Sequence, residues 1–335
     1  MPDLLKPSQI VSRLADHVIG QDDAKKTLAV AVYAHFRRLA APAAGSVELS
    51  KSNILLIGPT GTGKTLLCDT LAGILDLPFV TADATSLAQS RYVGDEIEAI
   101  LHRLVDRAGG DLERARRGIV FIDEIDKLKA SGGEARASSG ESVQHALLKI
   151  MEGAPVKLRD GRHLDTTHIL FICGGAFVGL DHILSQTQTF GFIATTAGDD
   201  QRILDRLNAR IKPTDLLEFG LIPEFAGRLP IVTRLHELTP EMLERIVTEP
   251  KNAIYRQFRA MLAADGVDLH VEPGVFRQMA DLAIEYKAGA RSLRGIFEEM
   301  MTDVMYAVPD DPAIRRVVIR SLFEPAELLP APPPA

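Results

Sequence analysis

The stretch NILLIGPTGTGKTLLCDTLAGIL, Asn53 to Leu75, decides the fold. Its first five residues are a short apolar run of strand length. Its last twelve, Lys64 to Leu75, carry helical spacing. Between them GPTGTGKT, Gly58 to Thr65, matches G-x-x-x-x-G-K-[ST], lying where that pattern has a mechanism, after a strand and before a helix. Gly58, Gly61 and Gly63 let backbone N–H groups approach phosphate closely. Pro59, Thr60 and Thr62 complete the turn, Lys64 brings a point charge to the outer phosphates, and Thr65 offers a hydroxyl to magnesium. The alternative is a chance glycine-rich turn, which the flanking strand and helix argue against.

Working outward, the same alternation continues. Strands are expected at Phe79–Ala82, Gly118–Ile122 and His168–Cys173, with helices at Asp95–Arg107 and Ser142–Met151. Uniformly apolar strands alternating with helices predict a mostly parallel sheet covered on both faces. The strand IVFI runs into Asp123 and Glu124, about sixty residues after Lys64. Two carboxylates delivered to the end of such a strand fall beside the phosphate loop. Asp123 is the candidate magnesium anchor and Glu124 the candidate general base. The bland alternative is a solvated acidic turn.

Before this block, helices are expected near Pro7–His17 and Gln21–Leu39, then an exposed loop at Ala40–Leu49. After Glu237 helices dominate, with two short segments, Val267–Val271 and Arg316–Ile319, able to pair as strands. The expected organisation is 1–50 as an N-terminal helical part, 51–236 as the α/β unit, 237–322 as a small α+β domain and 323–335 as an unpatterned, disordered tail.

Composition bounds the chemistry. The chain has 335 residues, enough for about two domains. Lys and Arg number 38 against 45 Asp and Glu, a net charge of −7, which disfavours a broad electrostatic grip on nucleic acid. The two cysteines, Cys68 and Cys173, cannot form a four-thiolate zinc site or a disulfide framework, and they suit a reducing cytoplasm. No secretory leader or apolar run of membrane-spanning length is expected. Neither HExxH nor GxSxG occurs, so metallopeptidase and serine hydrolase chemistry of those patterns is not expected.

Several long strings then resemble one family. VIGQDDAKKTLAVAVY (Val18–Tyr33), ELSKSNILLIGPTGTGKT (Glu48–Thr65), RGIVFIDEIDK (Arg117–Lys127), ILFICGGAFVGLD (Ile169–Asp181), FGLIPEFAGRLP (Phe219–Pro230) and GARSLR (Gly289–Arg294) are similar to AAA+ ATPases of the ClpX type. The resemblance covers residues 7 to 320. It implies a three-layer α/β P-loop domain followed by a smaller α+β lid. It implies ATP and Mg²⁺ as ligands, a homo-hexamer, unfolded or tagged protein clients threaded through a pore, and a ClpP-type peptidase as partner.

Residue by residue, the likeness makes Val18 and Ile19 the adenine wall, with Leu66 on the nucleotide side of the helix. Arg228 becomes an arginine finger for a neighbouring subunit and Arg291 a sensor arginine. Read alone, both arginines are surface ion-pair residues. Tyr92 and Val93 match a pore loop that grips polypeptide, although Tyr92 alone reads as a residue near a helix start, and Arg91 stands where the family has glycine. Phe190, Gly191 and Phe192 match the peptidase-docking tip, with phenylalanine in place of isoleucine. The segments around Arg162 and His163, and KASGGEARASSGES after the acidic strand, read as shortened pore loops. Cys173-Gly174-Gly175 ends a strand with no polar sensing residue, as in the family. The family's four-cysteine zinc domain has no counterpart in these residues. Two other functions compete: a nucleotide-switched scaffold that hydrolyses little, and a DNA-acting motor that the charge balance weakens.

Overall fold

The computed structural model describes residues 4–40, 51–129, 134–188 and 211–330. They divide into two compact units. The larger comprises the residues up to Val11, Asp22–Pro59 and Lys64–Leu235. The smaller comprises Ser12–Gln21, Thr60–Gly63 and the chain from His236 onward.

The larger unit is built on five parallel strands: β1 (Ile54–Ile57), β2 (Phe79–Asp83), β3 (Ile119–Asp123), β6 (Leu170–Gly175) and β7 (Ile231–Arg234). Their order is β2-β3-β6-β1-β7. Register runs through the middle, with Ile54 beside Ile172 on one side and Ile231 on the other. Every residue of β1 and β6 is buried, which is why these segments read as unbroken apolar runs rather than alternating ones. Helices Asp22–Ala40, Lys64–Ile74 and Val93–Arg107 pack on the strands. The last turns Ile97, Ile100, Leu101, Leu104 and Val105 inward at helical spacing.

Three features depart from the sequence expectation. β7 follows PEFAGRLP, where two prolines and a glycine read as loop, yet it pairs with β1 over its whole length. Residues of the expected short loop form a hairpin, β4 (Pro155–Lys157) with β5 (His163–Asp165), closed through Gly161 at φ 84°. The helix expected from Ser142 begins at Glu134 and runs to Glu152.

The smaller unit has a three-stranded sheet, β8 (Asp268–Val271), β9 (Ile314–Ile319) and β10 (Glu327–Pro330), in the order β10-β9-β8. β8 and β9 do pair, in parallel. Helices Pro240–Thr248, Ile254–Ala264, Pro273–Glu285 and Arg291–Ala307 enclose a core that includes Leu243, Phe258, Leu262, Met279, Phe297 and Val317. β10 corrects the expectation of a disordered tail from residue 323. Glu327–Pro330 pairs antiparallel with β9, and Glu327 accepts Arg320 Nε at 2.7 Å. As an edge strand with all four residues exposed, it needs no apolar alternation and gives none to read.

Candidate ATP site

The loop after β1 is shaped by close backbone approach. Gly58 N donates to Gly175 O (3.1 Å), and Leu235 N donates to Ile57 O (2.7 Å). A Cβ on Gly58 would lie 2.6 Å from Leu235 O, so only glycine fits there. Gly61 and Gly63 hold φ of 80° and 95°, a region L-residues rarely adopt. Pro59 and Thr60 are exposed, whereas Thr62 is buried.

Lys64 opens the helix and is buried. Its Nζ donates to Gly58 O (2.6 Å) and Pro59 O (3.0 Å), which holds the ammonium inside the turn. Leu66, two residues on, is exposed.

β3 does not adjoin β1. β6 lies between them, so the carboxylates could reach the loop only if the end of β6 were small. It is: Gly174 and Gly175 carry no side chain across the gap. A Cβ on Gly174 would sit 2.6 Å from the Phe121 ring and 3.4 Å from Asp123 Oδ1. Across that opening Thr65 Oγ1 donates to Asp123 Oδ2 at 3.2 Å. The two sequence-predicted magnesium ligands are thus already in contact. The hydroxyl and carboxylate beside a fixed ammonium form a donor set that suits a hard divalent cation and a polyphosphate.

Glu124 is exposed and leaves the strand in the left-handed region, φ 57° and ψ 31°. Its N–H is bound to Asp123 Oδ1 (2.9 Å), and its carbonyl accepts Lys127 N (2.9 Å) within the turn Ile125–Leu128. The carboxylate is therefore turned out of the strand on a constrained backbone.

The remaining candidates fall elsewhere. Arg228 ends the helix Pro223–Gly227 just before β7, with its side chain 52% exposed and ion-paired with Glu152 Oε1 at 2.5 Å. Asn53 Nδ2 donates to its carbonyl (3.1 Å). Tyr92 is 60% exposed immediately before the helix that Val93 begins, with the Arg91 guanidinium 5.6 Å from its ring centre. The exposed aromatic departs from the packed residue that its position before a helix suggests. Arg162 is engaged by Asp160 (Nε to Oδ2, 2.7 Å) and by Gly110 O (2.9 Å), while His163 is exposed.

In the smaller unit Val18 and Ile19 are buried and lead into Gly20 and Gln21, both at positive φ. Gln21 closes a pair with His236, giving Nε2 to its carbonyl (2.8 Å) and accepting its N–H (2.9 Å). Arg291 is exposed on the first turn of a 17-residue helix, the end that favours anions. Phe190, Gly191 and Phe192 lie outside the described residues.

Both cysteines are free and buried. Burial pushes the Cys173 thiol up to about 12 and that of Cys68 well above its ordinary value, with Asp123 adding to the latter. No helix among the described residues is long and apolar enough to cross a membrane. Sequence reasoning passed over Asp126, Glu152 and Asn53. The last carboxylate of DEID was the one legible signal, since an acid set between the buried Ile125 and Leu128 in a strand-end turn needs partners.

A parallel sheet in this order, with a G-x-x-x-x-G-K-T loop and an acidic strand end meeting across a pair of glycines, defines an ATPase of the AAA+ class. Residues 49–232 match the model of the AAA domain (Cdc48 subfamily), and residues 238–315 match that of the C-terminal, D2-small domain, of ClpB protein. Among curated relatives, the chain is similar to the ATP-dependent Clp protease ATP-binding subunit ClpX of Treponema denticola. The two are 46% identical over 330 residues, 93% of this chain and 80% of that protein. The ClpX of Porphyromonas gingivalis is 45% identical over 96% of this chain and 82% of its own length. That of Azotobacter vinelandii is 46% identical over 94% and 77%. The chain belongs to the ClpX family of AAA+ ATPases, and it is an ATP-hydrolysing enzyme.

Proposed function

We propose that this chain is the ATP-driven unfoldase subunit of a two-part protease. In this reading six copies form a ring, grip unfolded or tagged proteins and pass them through the pore to a separate ClpP-type peptidase. The observation that carries the reading is the Thr65–Asp123 contact with Glu124 set beside it, in a chain whose relatives bear the name of a Clp protease subunit. A nucleotide-switched scaffold has no need of a base.

Within the site, the loop N–H groups and Lys64 bind the phosphates. Thr65 and Asp123 would hold Mg²⁺, which supplies charge neutralisation of the phosphate oxygens when bound. Glu124 accepts the proton of the attacking water. Arg228 stabilises charge on the phosphate bound by an adjacent copy, and assembly is then required for turnover. In the free chain Glu152 holds that guanidinium. Val18, Ile19 and Leu66 contact the base, and Arg291 reads the phosphate state. Tyr92 and Val93 contact the client: a flat ring and a methyl pair hold any backbone without reading sequence. Such a machine works in the cytoplasm.

The test uses purified protein, ATP and a tagged fluorescent client, with and without ClpP. Degradation only in the presence of both supports the proposal, and Phe190→Ala/Phe192→Ala should abolish it without affecting ATPase rate. Loss of fluorescence with no degradation would mark a stand-alone remodeller. Glu124→Gln should keep ATP binding and lower hydrolysis by ~10²–10⁴-fold. ATP turnover near background in assembled wild-type rings would instead favour the scaffold.

A further inference from the structure

Asp126 is a carboxylate with 4% exposure that the mechanism above does not use. It sits in the turn Ile125–Leu128, directly after Glu124 and Ile125. Its Oδ1 accepts Ala176 N (3.2 Å) and its Oδ2 accepts Phe177 N (3.3 Å). Both donors belong to the chain leaving β6, the strand that separates the phosphate loop from the acidic strand. The carboxylate therefore joins the end of β3 to the end of β6, where backbone hydrogen bonding between the two strands has stopped.

The surroundings are built to this group. A Cβ on Gly175 would stand 2.5 Å from Asp126 Oδ1, so the last glycine of β6 is the space the carboxylate occupies. Phe177, which donates to it, holds φ 52° and is buried against Phe219 with ring centres 4.9 Å apart. The far end of the same turn is also fixed. Buried Gln144 gives Nε2 to Leu128 O (2.9 Å) while its Oε1 accepts Ile222 N (2.9 Å). Two residues in the left-handed region, Glu124 and Phe177, flank the junction. Such conformations persist only where neighbours over-determine them.

We propose that Asp126 is the positioning residue for the hydrolytic step, locking the turn so that Glu124 stays outward beside Asp123 and Thr65. This rests on Glu124 being the base. An acceptor-only group is required, because two N–H donors converge on it. An amide would turn its own NH₂ against one of them. Nucleotide binding, which depends on the loop and Lys64, is not expected to follow Asp126. The side chain's hydrogen bonds go to the chain leaving β6.

The test compares Asp126→Asn and Gly175→Ala, which disturb one junction from opposite sides, with the parent chain. Steady-state ATPase, ATP binding to the Mg²⁺-loaded protein and thermal unfolding are measured together. Each variant should lower kcat by ~10–100-fold, the usual cost of misplacing a reacting group by an ångström or less, and Asp126→Asn should keep KM and ATP affinity within about threefold of the parent. Combined, they should cost no more than the worse single change, since both break the same contact. A folded Asp126→Asn variant turning over within about twofold of the parent would overturn the proposal. So would additive losses, or binding and turnover lost in step through unfolding, which would mark Asp126 as purely structural. Glu124→Gln run alongside separates the two claims. Normal hydrolysis there removes the base assignment itself, whereas slow Glu124→Gln beside normal Asp126→Asn removes only the positioning role.

Discussion

Glu124 holds φ 57° on a side-chain-bearing residue, and its side chain makes no capping hydrogen bond to the turn it precedes. The backbone strain and the chemistry of this position can therefore be varied separately. Glu124→Ala deletes the carboxylate and keeps Cβ, hence keeps the clash that makes the left-handed region costly, roughly 1–2 kcal/mol. Glu124→Gly deletes both. Glycine's extra freedom in the unfolded chain returns about 0.5–1 kcal/mol of that gain. The glycine variant should thus be more stable than the alanine variant by about 0.5–1 kcal/mol. For a unit of some 150–250 residues this is a Tm higher by about 1–4 °C. Asparagine, which tolerates the region better than other side chains, should fall between them.

The measurement is thermal or denaturant unfolding of the three variants without nucleotide, followed by ATPase assays on the same preparations. All three should bind ATP and hydrolyse it ~10²–10⁴-fold more slowly than the parent. The order of stabilities, Gly above Asn above Ala, is the decisive result. An alanine variant at least as stable as the glycine variant would refute the claim that the base is carried on a strained backbone. The site would then owe its geometry to the side chain alone.

Three further outcomes follow from the same structure. Gly58→Ala must move Leu235 O away from a 2.6 Å contact, so it should cost about 1–3 kcal/mol in a denaturant titration. It should also weaken ATP binding, because Gly58 O is the 2.6 Å acceptor of Lys64 Nζ. His35 is held down to about 3, first by burial and then by the Arg38 and Lys51 charges, while its Nε2 lies 3.1 Å from His168 O. With the folded value below the unfolded 6.5, the unfolded chain binds the extra proton, so stability is lost as pH falls from about 6.5 towards 3. His35→Gln should flatten that limb of a Tm-against-pH curve, and an unchanged slope would count against the assignment. Cys68 and Cys173, fully buried with raised thiol values, should react with a thiol reagent no faster than the protein opens, and prompt labelling of the native chain would contradict their placement.

The sequence was most readable where one local pattern determines one local structure. NILLI and IVFID are buried on both faces and so announce themselves as apolar runs, and the glycines of GPTGTGKT mark their own turn. β7 and β10 were illegible because they lie at the margins of their sheets with faces partly or wholly uncovered, where pairing supplies what side chains do not. At the site, the residue types of Lys64, Thr65, Asp123 and Glu124 were legible from spacing. What brings them together was not. The sequence shows Gly174 and Gly175 only as a missing polar pair. In the fold they are the opening through which Thr65 meets Asp123, and the seat of Asp126. A strand that separates two functional loops contributes by what it omits. That contribution depends on strand order, which non-local pairing sets and no local spacing records. The same reasoning explains why Asp126 was passed over although it stands inside the most conspicuous acidic string of the chain. Its partners are the backbone N–H groups of Ala176 and Phe177, fifty residues away and carrying no side-chain signature.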